Sequence, residues 1–290
     1  MDTRYSTGKE AFKKLNTEEL RKEFLIENLF LENDITAIYS HIDRIVTLGA
    51  CPTTAEVKLD INIDSMHDFG VAYFLERREL GIINIGGEGT VTVDGISFKL
   101  SNLDALYIPK GTREVSFGSK DPQKPAKFYM SSTPANQSYP IKLITLADAK
   151  HLHLGSKEEC NERTINQYIH PEILETCQLS MGLTHLEDGS VWNTMPTHTH
   201  ERRMEVYFYF DIPSDQAVFH FWVNLHRQGM LLCIMSKQSL IPVGPYMEVV
   251  EQRTIPLYGL WLVRIDCSLI WTRLKQKTYF NMELLLGAKK

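Results

Sequence analysis

Two histidines and a glutamate, His198, His200 and Glu205, carry the clearest chemistry in this chain. They lie in the stretch Thr197-His198-Thr199-His200-Glu201-Arg202-Arg203-Met204-Glu205. Side chains two apart on a strand share a face, so the histidines point to one side. A carboxylate five positions later, across a turn or at the next strand's start, can close on the same point. Imidazole nitrogen and carboxylate oxygen are ligands of divalent transition metals, and a position left open makes such a site catalytic rather than structural. Isolated histidine pairs are more often surface or core residues, and a lone strand-start glutamate is usually solvated. Glutamate at this spacing in a β-rich context favours metal binding. Three ligands are visible, and a fourth is not. A two-histidine, one-carboxylate set with open positions also suits non-haem iron, so these residues alone leave zinc and iron open.

The elements around the triad read as β-structure. Asp188-Gly189 is a turn before it, and Val206 opens a strongly aromatic strand after it, with Tyr207, Phe208, Tyr209 and Phe210 as core. Residues 35–45, 57–63, 106–111, 163–171 and 178–185 alternate or run apolar. Residues 82–95 read as strand, glycine bend, strand and an Asp94-Gly95 turn. Gly86-Gly87-Glu88-Gly89 is not a phosphate loop, because no Lys-Ser/Thr pair follows and a strand comes next. No Gly-x-Ser-x-Gly elbow supports serine catalysis. One helix is expected near the N-terminus, with Thr17 as cap and Leu20, Phe24 and Leu25 on one face. Short strands with glycine corners point to an all-β protein of two sandwich or barrel halves. We place the halves at 1–135 and 136–290, the metal in the second. Arg163, His170, Arg44 and Lys110 are candidates to hold an acidic substrate, although structural roles serve each equally well.

Composition narrows the class. Five scattered cysteines with no CxxC pair argue against a disulfide framework and fit a reducing cytoplasm. No signal peptide is expected, and the apolar run 257–263 is too short to span a bilayer. A net charge of −5 gives no reason to expect nucleic acid. The charge is uneven: from Trp222 onward there are nine Lys/Arg and four Asp/Glu, against 22 and 32 before it.

Several segments resemble the 5-keto-4-deoxyuronate isomerase family. They are Arg4-Tyr5-Ser6-Thr7, Arg21 to Phe30, Tyr39-Ser40-His41-Ile42-Asp43-Arg44, Phe74 to Gly81, Tyr107 to Gly111, Arg163 to Pro171 and Pro196-Thr197-His198-Thr199-His200. The resemblance runs from Met1 to about Phe221. It implies a double cupin-type β-barrel, a homo-hexamer and one zinc ion in the second barrel. His198, His200 and Glu205 match the family's first three zinc ligands. The implied activity converts 4-deoxy-5-hexosulose uronate to 3-deoxy-2,5-hexodiulosonate in pectin degradation. The competing readings are another cupin metalloenzyme, such as a non-haem iron oxygenase, and a non-catalytic sugar-acid-binding cupin.

The resemblance stops after Phe221. The family's fourth ligand is a histidine in a Pro-Ser-Trp-Ser-Ile-His segment, and its position falls near Met247, which is no such ligand. The residues Ile241-Pro242-Val243-Gly244-Pro245-Tyr246-Met247 can be encoded as ATC CCA GTT GGT CCA TAC ATG. Another frame of that string reads CCC AGT TGG TCC ATA CAT, or Pro-Ser-Trp-Ser-Ile-His. The same shift turns a permitted coding of Thr254 to Trp261 into Tyr-Thr-Phe-Ile-Trp-Ala-Met, again like the family. We therefore read 222–290 as an aberrant, frame-shifted tail, the alternatives being a true divergent C-terminus or a sequence error. It should lose apolar alternation, leave open strand edges, weaken zinc binding and depress activity.

Overall fold

The computed structural model describes residues 1–12, 14–193, 204–212, 218–224, 227–233, 238–241, 246–251 and 257–264, with side chains through Val218 apart from Lys9. The first half runs β1 (Asp2–Arg4), α1 (Lys9–Phe12), α2 (Thr17–Phe24), β2 (Leu25–Ile26), β3 (Ile35–Ser40), β4 (Val46–Ala50) and β5 (Val57–Lys58). It continues through α3 (Ser65–Phe69), β6 (Arg78–Asn84), β7 (Gly89–Val93), β8 (Ile96–Leu100), β9 (Ala105–Ile108), β10 (Val115–Ser119), β11 (Phe128–Pro134) and β12 (Lys142–Ile144). A seven-stranded sheet, β1-β3-β4-β11-β6-β9-β12, faces a four-stranded one, β5-β10-β7-β8. The apolar faces of both enclose a core that includes Leu48, Leu80, Ile82, Val91, Leu106, Phe117 and Met130.

The second half contains β13 (Lys150–Leu154), β14 (Arg163–Ile169), β15 (Leu179–Leu186), β16 (Glu205–Phe210), β17 (Val218–Asn224), β18 (Arg227–Cys233), β19 (Gln238–Ile241), β20 (Tyr246–Glu251) and β21 (Leu257–Arg264). One sheet is ordered β13-β14-β15-β21-β16-β19-β2, and the other β18-β17-β20. The molecule is thus two β-sandwiches, and among the described residues neither closes into a hydrogen-bonded barrel. The halves are interlaced: β2, from near the N-terminus, pairs with β19 at the edge of the second half's sheet.

Local chemistry explains the corners. Asp94 (φ 46°) and Gly95 (φ 84°) turn β7 into β8, as the Asp-Gly pair predicts. At Gly87 a Cβ would come within 2.0 Å of the Lys124 carbonyl oxygen, so this glycine bend is a close backbone approach. The helix cap differs by one residue from expectation. Asn16, not Thr17, caps α2: its Oδ1 accepts from Glu19 N at 2.9 Å, and Glu19 Oε2 accepts from Asn16 N at 2.7 Å. This reciprocal pair satisfies two backbone donors, which Thr17 could not do from inside the first turn.

In the tail, β21 pairs with β15 on one side and β16 on the other, so the seven-stranded sheet continues through it, while β18 and β20 lie at the edges of the three-stranded sheet. The run Leu257 to Val263 of β21 lacks alternation.

Candidate functional site

Glu205 opens β16 and is only 4% exposed. What turns it is the opposite face of its own strand. Val206, Phe208 and Phe210 join the core between the halves, where Phe208 stacks on Tyr129 of the first half with ring centroids 5.0 Å apart. Alternation then sends Glu205, Tyr207 and Tyr209 to the other side. Tyr207 and Tyr209 pack there with Leu20, Phe24, Leu186 and Val218.

The sheet register extends this face. Met181 and Leu183 of β15 enter the between-halves core, so Ser180, Gly182, Thr184 and Leu186 share the side of Glu205. On β14 the Tyr168 hydroxyl donates to the Leu103 carbonyl of the first half at 2.7 Å, which leaves Arg163, Ile165 and Gln167 on the same side as Glu205. Arg163, Gln167, Ser180, Thr184 and Glu205 are all buried. The second sandwich therefore carries a polar stripe where the first is packed with aliphatic and aromatic groups.

Arg163 begins β14. Its Nη1 donates to the Asn161 carbonyl at 2.8 Å. Burial lowers its pKa from the usual guanidinium value, and the nearby Tyr207 phenol opposes that. It also lines a cleft of about 470 Å³ together with His153, Lys157, Glu162 and Glu187. His170 follows the far end of β14. Its Nδ1 accepts from Glu172 N at 3.3 Å, and its carbonyl accepts from Ile173 N at 2.8 Å and Leu174 N at 3.0 Å. Burial, then Lys150, pushes its pKa down, while Glu172 pulls the other way. Arg163 and His170 thus stand at opposite ends of one strand. Arg44 and Lys110 lie in the first half. The Arg44 carbonyl accepts from buried Arg78 at 2.7 Å, and the Lys110 carbonyl accepts from Ser138 at 3.1 Å.

His198 and His200 lie outside the described residues. Met247 pairs with Trp222 in the three-stranded sheet, whereas Glu205 belongs to the seven-stranded one. Among the described residues no group of three His, Cys, Asp or Glu is placed to hold a metal. The one described member of the triad, buried Glu205, offers the carboxylate oxygens that a divalent transition metal takes.

The sequence reading missed one neighbour of this strand. Asp43 Oδ2 accepts from Met204 N at 2.9 Å, so a loop of the first half docks beside Glu205. Asp43 (φ 53°) and Arg44 (φ 52°) both adopt left-handed backbone, uncommon for residues other than glycine. Nothing in a Tyr-Ser-His-Ile-Asp-Arg string forecasts that pair, although aspartate tolerates the conformation better than most residues.

Comparison with known proteins fits this architecture. A model of the KduI/IolB family matches residues 37–255, which includes part of the tail. A 4-deoxy-L-threo-5-hexosulose-uronate ketol-isomerase from Pectobacterium carotovorum subsp. carotovorum is 53% identical over 241 residues, covering 83% of this chain and 86% of that protein. A protein of the same name from Enterobacter sp. (strain 638) is 53% identical over 220 residues, covering 76% of this chain and 78% of that one. Among solved structures, an iolb-like protein from Salmonella typhimurium aligns with a TM-score of 0.63 at 13% identity, over 78% of this chain and 85% of that one. A Lactobacillus farciminis oxalate decarboxylase aligns at 0.54 and 11%, over 79% and 80%. At such identities these two speak to the cupin-like fold alone. Family model and sequence identity together assign this chain to the KduI/IolB family.

Proposed function

We propose that this chain is a zinc-dependent ketol-isomerase that converts 4-deoxy-5-hexosulose uronate to 3-deoxy-2,5-hexodiulosonate in pectin breakdown. The observation that carries the reading is the 53% identity over 241 residues to a ketol-isomerase of that substrate. The buried polar stripe of the second half supports it. His198, His200 and Glu205 would hold the zinc ion. When bound, zinc polarises a carbonyl and stabilises the negative charge that develops on its oxygen. Arg163 pairs with the substrate carboxylate, as a guanidinium fork suits that group. The isomerisation itself moves a proton between neighbouring carbons through an enediol. Burial of the stripe keeps water from competing for these charges. We place the protein in the cytoplasm as a homo-hexamer. Among the described residues no helix is long and apolar enough to cross a membrane. In its present form, with methionine near the fourth-ligand position, activity is reduced.

The test compares this chain with a version whose residues from 222 onward follow the shifted frame. Each is supplied with zinc and the uronate, and product is followed by chromatography, zinc by mass spectrometry. Turnover by the reframed protein is expected, with less from the present chain. Glu205→Gln should lower zinc affinity at least tenfold. A reframed protein that is saturated with zinc yet leaves the uronate unchanged overturns the proposal.

A further inference from the structure

We infer that Gln167 orients the substrate, its side-chain oxygen accepting a hydrogen bond from a hydroxyl of an acyclic sugar acid whose carboxylate pairs with Arg163. This deepens the isomerase reading above and rests on it. Gln167 is 4% exposed, and its Oε1 has no hydrogen-bond partner. Buried polar atoms are nearly always paired, and an exception calls for a water or a ligand. The β-structure aims this side chain on purpose. The β14–β15 register slips between Gln167 and Ile169, and both Tyr168 and Ile169 enter the between-halves core. Such a bulge re-aims its neighbours, and Gln167 is left on the face of Glu205, Tyr207 and Arg163. Directly opposite Gln167 on β15 is Gly182, which carries no side chain. Arg163 lies four residues back on the same face, about 13 Å along the strand.

The chemistry of these two groups selects a ligand class. A guanidinium takes a carboxylate, whereas an amide oxygen takes a hydroxyl and repels a carboxylate. An acid with hydroxyls along its chain satisfies both groups, and one without them satisfies only Arg163. Gln167 is thus a specificity determinant for hydroxylated over plain keto acids.

Isothermal titration tests this on the chain reframed from residue 222, supplied with zinc and taken as the parent, with the uronate and with 2-oxohexanoate, a six-carbon keto acid without hydroxyls. In Gln167→Met, similar in size but without the acceptor, uronate binding should weaken about tenfold and 2-oxohexanoate binding should not change. Arg163→Met should weaken both. If the methionine variant melts early by circular dichroism, Gln167→Asn, which withdraws the oxygen by one methylene, must show the same selective loss. Unchanged uronate affinity, or equal loss for both acids, overturns the assignment of Gln167 alone. A parent chain that binds neither acid overturns the isomerase reading, and this inference falls with it.

Discussion

Glu205 and His170 show how burial decides what an ionisable side chain can do. Glu205 sits at 4% exposure, where its carboxyl oxygens would be held for the proposed zinc. The residue type and its spacing to His200 single it out in the sequence as a candidate ligand, because a metal-ligand set would leave a short-range pattern. Its burial was not readable, because that depends on Phe208 meeting Tyr129, far away in the chain. His170, picked as a possible acid-binding group, accepts a backbone hydrogen bond from Glu172. Burial holds its pKa below the ordinary histidine value. The folded state therefore binds its proton less readily than the unfolded state. Its contribution to stability is intact above the ordinary value and declines as pH falls through it toward the lowered one. Protonation also converts Nδ1 from acceptor to donor and breaks its bond to Glu172 N. His170→Gln should flatten the fall in melting temperature between about pH 7 and pH 5. An identical slope in the variant would show that other groups set the acid sensitivity.

Elements of the first half reach into the second half's site. The loop between β3 and β4 holds two consecutive left-handed residues, Asp43 and Arg44. Arg78 secures this loop by donating to the Arg44 carbonyl while its Nε donates to Ser132 Oγ at 3.1 Å. Phe69 and Phe74, packed edge to face with each other, both lie against the same guanidinium, their centroids 5.2 and 5.7 Å from its central carbon. The loop then presents Asp43 to the Met204 amide, one residue before Glu205. Asp43→Ala removes that acceptor, so zinc affinity, measured by competition with a chelating dye, should drop several-fold. Asp43→Asn retains an acceptor oxygen and should restore most of it. Equal zinc affinity in the alanine variant would reduce the contact to a structural detail. Of the strands flanking this loop, β3 was legible, within an apolar segment read as 35–45 that ran on through the loop and stopped short of β4, and the Asp94-Gly95 hairpin was legible down to its turn. The loop's role was not, because a contact across 161 positions leaves no local pattern.

At the scale of the whole molecule, one buried carboxylate joins the halves and one tail completes the second sheet. Glu79, fully buried on β6, accepts from Cys177 N at 2.9 Å, Gln178 N at 2.7 Å and Leu179 N at 2.9 Å. Thr133 and Tyr107 hydroxyls donate to it from its own half. Glu79→Ala strands three amides in the interior and should cost about 3–5 kcal/mol in urea unfolding, whereas a midpoint like that of the parent would show that water replaces the carboxylate. Nothing local announces this latch, since a glutamate in Glu-Arg-Arg-Glu-Leu reads as solvent-facing. The tail raises the opposite problem: here the sequence made a claim that backbone pairing alone does not decide. Strands continue to Arg264, with β21 central between β15 and β16, and the family model reaches residue 255. Both facts fit a tail able to form strands without the family's side chains, because apolar runs pair whatever their order. What a shifted frame destroys is the side-chain chemistry, above all the histidine expected near Met247. Restoring the frame from residue 222 should therefore raise zinc affinity at least tenfold and raise the melting temperature as the core regains its pattern. If the gene's own codons across Phe221 and Trp222, translated in the other frame, do not yield Pro-Ser-Trp-Ser-Ile-His, the tail is a divergent C-terminus and the fourth ligand must be sought elsewhere.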